Sequence, residues 1–263
     1  MRTLLLALSL TWPLARRDIA ARYRGSVGGL LWTLMGPLVM VGIYSAVFQG
    51  VFQARWPGAE STASGGVTYA LRLFSGLVVF SGFTEVATRA TRLIQDNASL
   101  VKRVVFPVEL LCLSLVLQVS IHMAVQFVLL GLLAVVAGEG PKLSMLSLIF
   151  IFPWIFCLLT GVALVMSCLG CYLRDLQHFV PLFMSALLFL SPVFYPADAA
   201  PEVLKFFLQL NPMTGPIEAV RAASFGMPID LPSMSAQVLL AVVILLGSLL
   251  LFRRLRSGFA DLV

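Results

Sequence analysis

The sequence predicts an all-α integral membrane protein. It has six transmembrane helices, an N-terminal amphipathic interfacial helix, and a short re-entrant helical hairpin between transmembrane helices five and six. Hydrophobic residues make up 60% of the 263 residues and charged residues only 11%, whereas soluble domains are about 45–50% apolar and about 25% charged. Apolar runs near the roughly 20 helical residues needed to cross a bilayer recur along the chain. No polar stretch is long enough for a second domain, so residues 1–263 are predicted to form one membrane domain.

The N-terminal segment, residues 1–28, is too charged to cross the membrane. Apolar residues recur in it at three- and four-residue steps, at Leu4, Leu8, Trp12, Ala15 and Ile19, next to a run of Arg residues. This pattern is typical of an amphipathic helix lying in the cytoplasmic membrane interface. We expect Pro13 to kink or divide that helix. A cleaved signal peptide is the alternative, which is disfavoured because no clean small-residue cleavage pattern precedes the Arg run.

Six apolar spans follow, at residues 30–52, 69–91, 107–137, 143–172, 179–194 and 234–252. The third span is long enough to tilt or to project from the bilayer, and the fifth is short. Of the 18 Lys and Arg residues, thirteen lie on the same side of the membrane as the N-terminus and five on the other. Because cytoplasmic loops carry the excess of Lys and Arg, both termini are predicted to be cytoplasmic.

The segment between spans five and six, residues 196–232, contains two helical patterns that are too short to cross. They cover residues 203–210 and 217–221, and Asn211 and Pro212 separate them. A pair of short helices broken by Pro predicts a periplasmic re-entrant hairpin, whose backbone must be covered by protein or water. An amphipathic loop on the outer surface is the alternative interpretation.

Few polar groups lie inside the predicted spans. Gln118, His122 and Gln126 fall on one face of span three because they are four residues apart. They either form hydrogen bonds between helices or line a substrate path. Glu85 and Arg89, one turn apart near the inner end of span two, predict an ion pair. The alternative to a purely structural ion pair is a role in signalling to the cytoplasmic loop.

The sequence contains no recognisable site for nucleotide or metal chemistry. The phosphate-binding pattern G-x-x-x-x-G-K-[ST] is missing, two His are too few for a histidine metal site, and Cys168 and Cys171 lack the second Cys pair that a structural zinc site needs. We therefore expect the chain to be no enzyme and to hold no cofactor. The net charge of +6 comes from short loops that face a membrane, so nucleic acid is not an expected partner.

Runs of residues in four regions resemble, in the right order, the permease subunits of type-two ABC exporters. Residues 17–32 (RDIAARYRGSVGGLLW) resemble the motif at the start of that family, and residues 96–107 (DNASLVKRVVFP) resemble its cytoplasmic loop. Residues 174–178 (RDLQH) and 190–196 (LSPVFYP) resemble the family's fifth-span region, and residues 211–221 (NPMTGPIEAVR) resemble its hairpin. The subgroup most similar to this chain exports polysaccharides: O-antigen, capsular polysaccharide or teichoic acid.

This resemblance implies the membrane-spanning subunit of an ATP-driven ABC transporter that exports a lipid-linked polysaccharide across the bacterial inner (cytoplasmic) membrane. Two copies of the chain would form the pore, and a separate ATPase subunit would bind ATP and Mg. The loop that would dock on the ATPase as a coupling helix supplies Asp96, Asn97, Ser99, Leu100, Lys102 and Arg103.

The resemblance also implies roles in the transport path. Spans one and five would line it, and the candidate aromatic residues are Trp32, Tyr44, Phe48, Phe183, Phe189 and Tyr195. The N-terminal helix would act as a gate at the inner membrane interface. A lipid pyrophosphate would suit the Arg-rich inner entrance, because phosphate favours Arg; the candidates there are Arg22, Tyr23, Arg24 and Arg174.

Three other functions are alternatives to this one. An ABC permease for another bulky amphipath, such as a lipid or a drug, belongs to the same class. An ion-coupled secondary transporter would show internal repeats or a buried acidic residue near the centre of a span, whereas Glu85 and Glu109 lie near span ends. A membrane-bound glycosyltransferase would need acidic clusters at an interface, which the sequence lacks.

Overall fold

The computed structural model describes residues 2–23, 28, 31–51, 65–102, 107–138, 143–227 and 231–259, and their regular structure is helical throughout. In chain order the α-helices are α1 (Arg2–Tyr23), α2 (Leu31–Ser45), α3 (Gly65–Asp96), α4 (Ala98–Val101), α5 (Glu109–Val136), α6 (Leu148–Tyr172), α7 (Leu176–Phe189), α8 (Glu202–Leu210), α9 (Thr214–Phe225) and α10 (Leu231–Leu255). A π-helical turn, Ala46–Val51, extends α2, and a 3-10 turn, Leu143–Ser147, leads into α6.

Within the described residues, four helical segments are long and apolar enough to cross a membrane: Gly66–Asp96, Glu109–Val136, Ser144–Tyr172 and Pro232–Gly258. They correspond to predicted spans two, three, four and six. The other two predicted spans coincide with shorter apolar helices, Leu34–Phe48 and Leu176–Phe189. Helix α7 has 14 residues and is therefore about 21 Å long, which is less than the roughly 30 Å hydrocarbon core of a bilayer.

Helices α3 and α6 form the centre of the structure, with α5, α7 and α9 packed around α3 and with α10 packed along α6. Two glycines of α6 allow close approach. A Cβ atom at Gly170 would lie 2.0 Å from the carbonyl oxygen of Thr91 in α3, and one at Gly161 would lie 3.1 Å from the Leu245 backbone in α10. Small residues commonly let membrane helices approach this closely.

Helix α1 packs against α5, and its Thr11 and Ala15 side chains are buried. The helix continues through Pro13, so the predicted division at this residue does not occur. At the other end of the chain, the turn after α10 is held against α6. The Tyr172 hydroxyl donates a hydrogen bond to the Leu255 carbonyl (2.9 Å).

The structure shifts several predicted boundaries. The fifth span, predicted for residues 179–194, is helical only to Phe189, and the six residues from 190 to 195 form turns. The predicted loop helix at residues 96–103 is a single turn, α4. Two short helices, α8 and α9, do occupy the predicted hairpin segment, and they meet at residues 211–213.

Candidate functional site

A network of charged and polar side chains joins α1, α3 and α5. Glu85 of α3 accepts hydrogen bonds at Oε1 from Arg22 of α1 and from Arg89, the latter at 2.9 Å. Arg89 also donates from Nη2 to Oε1 of Gln118 on α5 (2.9 Å). The Arg22 Nη1 atom lies 3.3 Å from Nδ1 of His122 on α5. One carboxylate therefore connects two guanidinium groups that belong to different helices.

The network lies in the C-terminal half of α3. Glu85 is about 16 Å along the helix from Asp96, the last residue of α3. An open cleft of about 570 Å³ borders the network, lined by Asp18, Ala21, Arg22, Glu85 and Arg89.

These contacts bear on two interpretations that the sequence left open, and the role of Glu85 and Arg89 in signalling stays a prediction. The predicted ion pair between Glu85 and Arg89 is present. Gln118 and His122 are buried inside the protomer and contact Arg89 and Arg22. They therefore connect helices, as the hydrogen-bonding interpretation of this face of α5 requires.

The four predicted pyrophosphate residues do not form one cluster in the described parts of the chain. Arg22 belongs to the network around Glu85, and Tyr23 is the last residue of α1. Arg24 lies outside the described residues. Arg174 lies on the exposed link between α6 and α7 and borders a second open cleft of about 510 Å³, which residues 171–176 and Phe179 line.

The predicted ATPase-docking residues lie at the C-terminal end of α3 and directly after it. Asp96 ends that helix, and Ser99 and Lys102 are exposed, whereas Leu100 is half-buried. Arg103 lies outside the described residues. The loop is attached to the protein from two sides: the buried Val101 anchors α4, and Asn97 joins it to neighbouring groups.

Asn97 connects this loop to α3 and to α1. Its Nδ2 atom donates to the Leu93 carbonyl (2.9 Å), and its Oδ1 atom lies 3.5 Å from Nη2 of Arg17 on α1. Arg17 in turn pairs with Asp18 (2.9 Å). Helix α1 thus contacts both the loop and, one turn further along, the network around Glu85.

The predicted path aromatics separate into two groups. The exposed group contains Trp32, which is 68% exposed, together with Phe183 and Phe189. The half-buried group contains Tyr44 and Phe48, which pack inward, and Tyr195, whose hydroxyl donates to the Phe189 carbonyl (3.2 Å).

Phe194, which is outside the predicted path set, is the centre of the inward-packing aromatic cluster. It is only 4% exposed, and its ring stacks on Phe48 with centroids 4.5 Å apart. The Phe189 ring lies 5.4 Å away, and Tyr44 meets Phe194 edge-on at 5.0 Å. Phe194 therefore joins the segment after α7 to α2.

A buried arginine on α9 fixes the same segment from the other side. Arg221 is 1% exposed. Its Nη1 atom donates to Oε1 of Glu218 (2.8 Å), and its Nη2 atom donates to the carbonyl oxygens of Pro192 (2.8 Å) and Val193 (3.3 Å). Glu218 also accepts a hydrogen bond from the Ala197 amide (3.1 Å). The sequence showed Glu218 and Arg221 one turn apart but not the backbone groups that they bind.

Asn211, in the turn between α8 and α9, adds a further link to this segment. Its Nδ2 atom donates to Ser191 Oγ (2.9 Å), and its Oδ1 atom accepts from the Met213 amide (2.9 Å). Within the described ranges, no group of three or more His, Cys, Asp or Glu side chains lies together in a way that could hold a metal ion. Among the described residues, the contacts of Asn211, Glu218 and Arg221 join α9 and the turn before it to the segment after α7.

A family comparison matches residues 9–225 to the model described as ABC-2 type transporter. The chain belongs to the ABC-2 type transporter family. Two similar proteins carry the name O-antigen export system permease protein RfbA. The one from Klebsiella pneumoniae is 26% identical over 253 residues, which cover 95% of this chain and 93% of that protein. The one from Myxococcus xanthus is 24% identical over 253 residues, covering 94% and 93%.

A third relative is the polysialic acid transport protein KpsM of Escherichia coli. It is 24% identical over 209 residues, which cover 79% of this chain and 78% of that protein. The resemblance to polysaccharide-exporting ABC permeases that the motifs indicated is therefore confirmed at the level of the family and its named members. The family match spans α1 to α9, so the helices that form the network around Glu85 belong to the shared architecture.

Proposed function

We propose that this chain is the permease subunit of an ATP-driven exporter that moves a lipid-linked polysaccharide, of O-antigen or capsule type, across the bacterial inner membrane. The observation that carries the proposal is the similarity to O-antigen export permeases over 95% of the chain. The absence of a phosphate-binding loop in the sequence fits a subunit whose energy comes from a separate protein.

The proposed topology has six spans and cytoplasmic termini, with α1 in the inner interface and with α8 and α9 as a re-entrant hairpin. Helices α2 and α7 are the two short spans. Non-helical backbone inside a membrane must have its polar groups satisfied by protein or water. The segment after α7 meets this requirement in part, because Arg221 binds the carbonyl groups of Pro192 and Val193.

The proposed partners are a second copy of the chain, a separate ATPase and membrane lipid. Trp32 on α2 and Phe183 and Phe189 on α7 expose large aromatic surfaces. In the assembled pore these rings would face the partner copy or the path, where aromatic faces stack on sugar rings. Tyr44, Phe48 and Tyr195 would support this wall from behind.

The ATPase would bind ATP and Mg, and it would contact the permease at the loop of residues 96–103. Charge reversal tests this part: Asp96→Lys with Lys102→Glu should abolish co-purification of the ATPase and its stimulation by the permease. Lys205→Glu is the matched control, because Lys205 lies on α8 at the opposite side of the membrane in the proposed topology. Unchanged ATPase binding by the Asp96 and Lys102 variant would rule out this docking site.

The proposed contacts for the pyrophosphate of the lipid carrier are Arg174 on the cytoplasmic link and, in the N-terminal segment, Arg22, Tyr23 and Arg24. Arg-to-phosphate contacts are commonly bidentate, so Arg174→Lys should weaken substrate stimulation of the ATPase although it keeps the charge. Equal stimulation in Arg174→Lys and Arg174→Ala at the wild-type level would exclude Arg174 from substrate binding.

Loss of the chain from its host provides the test of the substrate class. Lipid-linked polysaccharide should accumulate on the cytoplasmic face of the inner membrane, and the cell surface should lose it. Proteoliposomes that contain the permease and its ATPase should then transport the same lipid-linked glycan. Transport of an unrelated lipid or drug without glycan transport would replace this proposal with the broader amphipath exporter.

A further inference from the structure

We infer that Glu85 is a positioning residue for transport: it holds α1 on the membrane helices through an ion pair that breaks and re-forms as the ATPase-docking loop moves. This inference rests on the proposed function, since it requires an ATPase at residues 96–103. It goes beyond that proposal by assigning the connection between the docking loop and the spans to α1 and to one carboxylate of α3.

Helix α1 is attached at two points, to the docking loop and to α3. Arg17 contacts Asn97 in the loop (3.5 Å), and Arg22 contacts Glu85 in α3. The two arginines lie five residues apart, or about 7.5 Å along a helix. A helix that is tied at both points transfers a displacement of the loop to α3 and α5 without any change in its own structure.

The carboxylate of Glu85 is shared by two arginines. Arg22 and Arg89 both bind Oε1 of Glu85, so the carboxylate screens two like charges from each other. Without its negative charge, Arg22 and Arg89 repel each other, and α1 loses its polar contact with α3. His122, next to Arg22, and Gln118, bound to Arg89, extend the effect to α5.

The exposure of the Arg22–Glu85 pair favours a reversible contact over a permanent one. The side chains of Arg22 and Glu85 are 42% and 23% exposed and border an open cleft. Partly exposed ion pairs are weak because water competes for both partners. Arg221, in contrast, is fully buried on Glu218 and two carbonyl groups, and breaking such a pair is costly. The Glu85 pair therefore suits a contact that opens in each cycle, and the Arg221 pair suits a fixed joint.

The proposed motion gives a direct test by crosslinking α1 to α3 beside the cleft. Ala21→Cys, at a position that lines the cleft on α1, and Ser81→Cys, at an exposed position one turn before Glu85 on α3, would be joined by flexible bifunctional thiol reagents of graded length in the assembled complex with its ATPase. Single-Cys variants control for the native cysteines. In the otherwise unaltered protein we expect the yield to differ at least threefold between the nucleotide-free and the ATP-trapped complex.

Glu85→Gln should abolish that difference while the ATPase still co-purifies. Export should fall at least tenfold, and ATP hydrolysis should continue without stimulation by substrate. Glu85→Asp keeps the charge and should restore both the crosslinking difference and export. Glu218→Gln is the matched control for losing an Arg partner elsewhere: it should lower the melting temperature but leave the crosslinking difference intact.

Arg22→Gln provides a second route if Glu85→Gln fails to accumulate, because this side chain is partly exposed. Since Arg22 is also a proposed pyrophosphate contact, the readout for this variant is the crosslinking difference measured without substrate, which should disappear. Wild-type export and an unchanged crosslinking difference in either variant would overturn the inference. Failure of the ATPase to bind the unaltered chain would instead overturn the proposed function, and the coupling role with it.

Discussion

Replacing Gly170 with alanine tests the close packing at the centre of the structure. A Cβ atom at this position would lie 2.0 Å from the Thr91 carbonyl oxygen and 2.6 Å from the Thr91 Cα atom, whereas ordinary contact begins at 3.4 Å. Helices α3 and α6 would have to separate locally by about 1.4 Å to reach that distance. The hydrogen bond from Gln95 to the Gly170 carbonyl, now 3.2 Å, would lengthen as well.

Overpacking of a well-packed core costs about 1–3 kcal/mol. We expect the upper end of this range, about 3 kcal/mol, because the clashing atoms belong to backbone and have no rotamer to escape into. For a chain of this size, 1 kcal/mol corresponds to about 2–4 °C in melting temperature. Gly170→Ala should therefore lower the apparent melting temperature of the detergent-solubilised protein by about 6–12 °C.

Gly131→Ala and Gly247→Ala are the matched controls, because no atom of the described residues outside the nearby backbone of the same helix lies within 4 Å of a Cβ built at either position. Both should melt close to the wild-type temperature when the loss of the monodisperse protein peak is followed after heating. If Gly170→Ala melted at the same temperature as these controls, the close contact between α3 and α6 would be wrong.

Four further substitutions test other contacts. Arg221→Leu should cost about 3 kcal/mol or more in stability, because it leaves buried carbonyl groups and Glu218 without their donor; an unchanged melting temperature would contradict the buried joint. Phe194→Ala should destabilise by about 3–5 kcal/mol as a core truncation, whereas Trp32→Ala should leave the melting temperature unchanged and reduce glycan export; the reverse order would refute the division of the aromatics. Arg256→Ala removes an exposed pair with Glu109 and should shift stability by less than about 1 kcal/mol, so a large loss would show that this pair holds the C-terminal turn.

The long spans were predictable because hydropathy over about 20 residues reports burial in lipid directly. Predicted spans three and six coincide with α5 and α10 to within three residues at each end. The ion pair of Glu85 with Arg89 was also predictable, since a helix brings residues i and i+4 together. In each of these cases the signal is local in sequence.

The end of the fifth span was not predictable in the same way. Residues 190–194 stay mostly apolar, so hydropathy extends the span to Phe194, whereas the helix stops at Phe189. The bonds that hold this turn come from Arg221, 28 and 29 residues away, and no local pattern reveals them. The same holds for Arg22 and Glu85, which are 63 residues apart.

The joint between Arg221 and the segment after α7 has a consequence for how the protein is made. The carbonyl of Val193 lacks this hydrogen bond until its donor, Arg221, has been synthesised 28 residues later. At about 5–20 residues per second, this delay is about 1.5–6 s. In the proposed topology, where this segment lies in the membrane, the end of α7 has to keep water or the insertion machinery as its hydrogen-bonding partner until α9 emerges, because lipid offers none. The short helix α7 and the proposed hairpin should then enter the membrane together, and an arrest of translation between residues 195 and 220 should leave α7 uninserted.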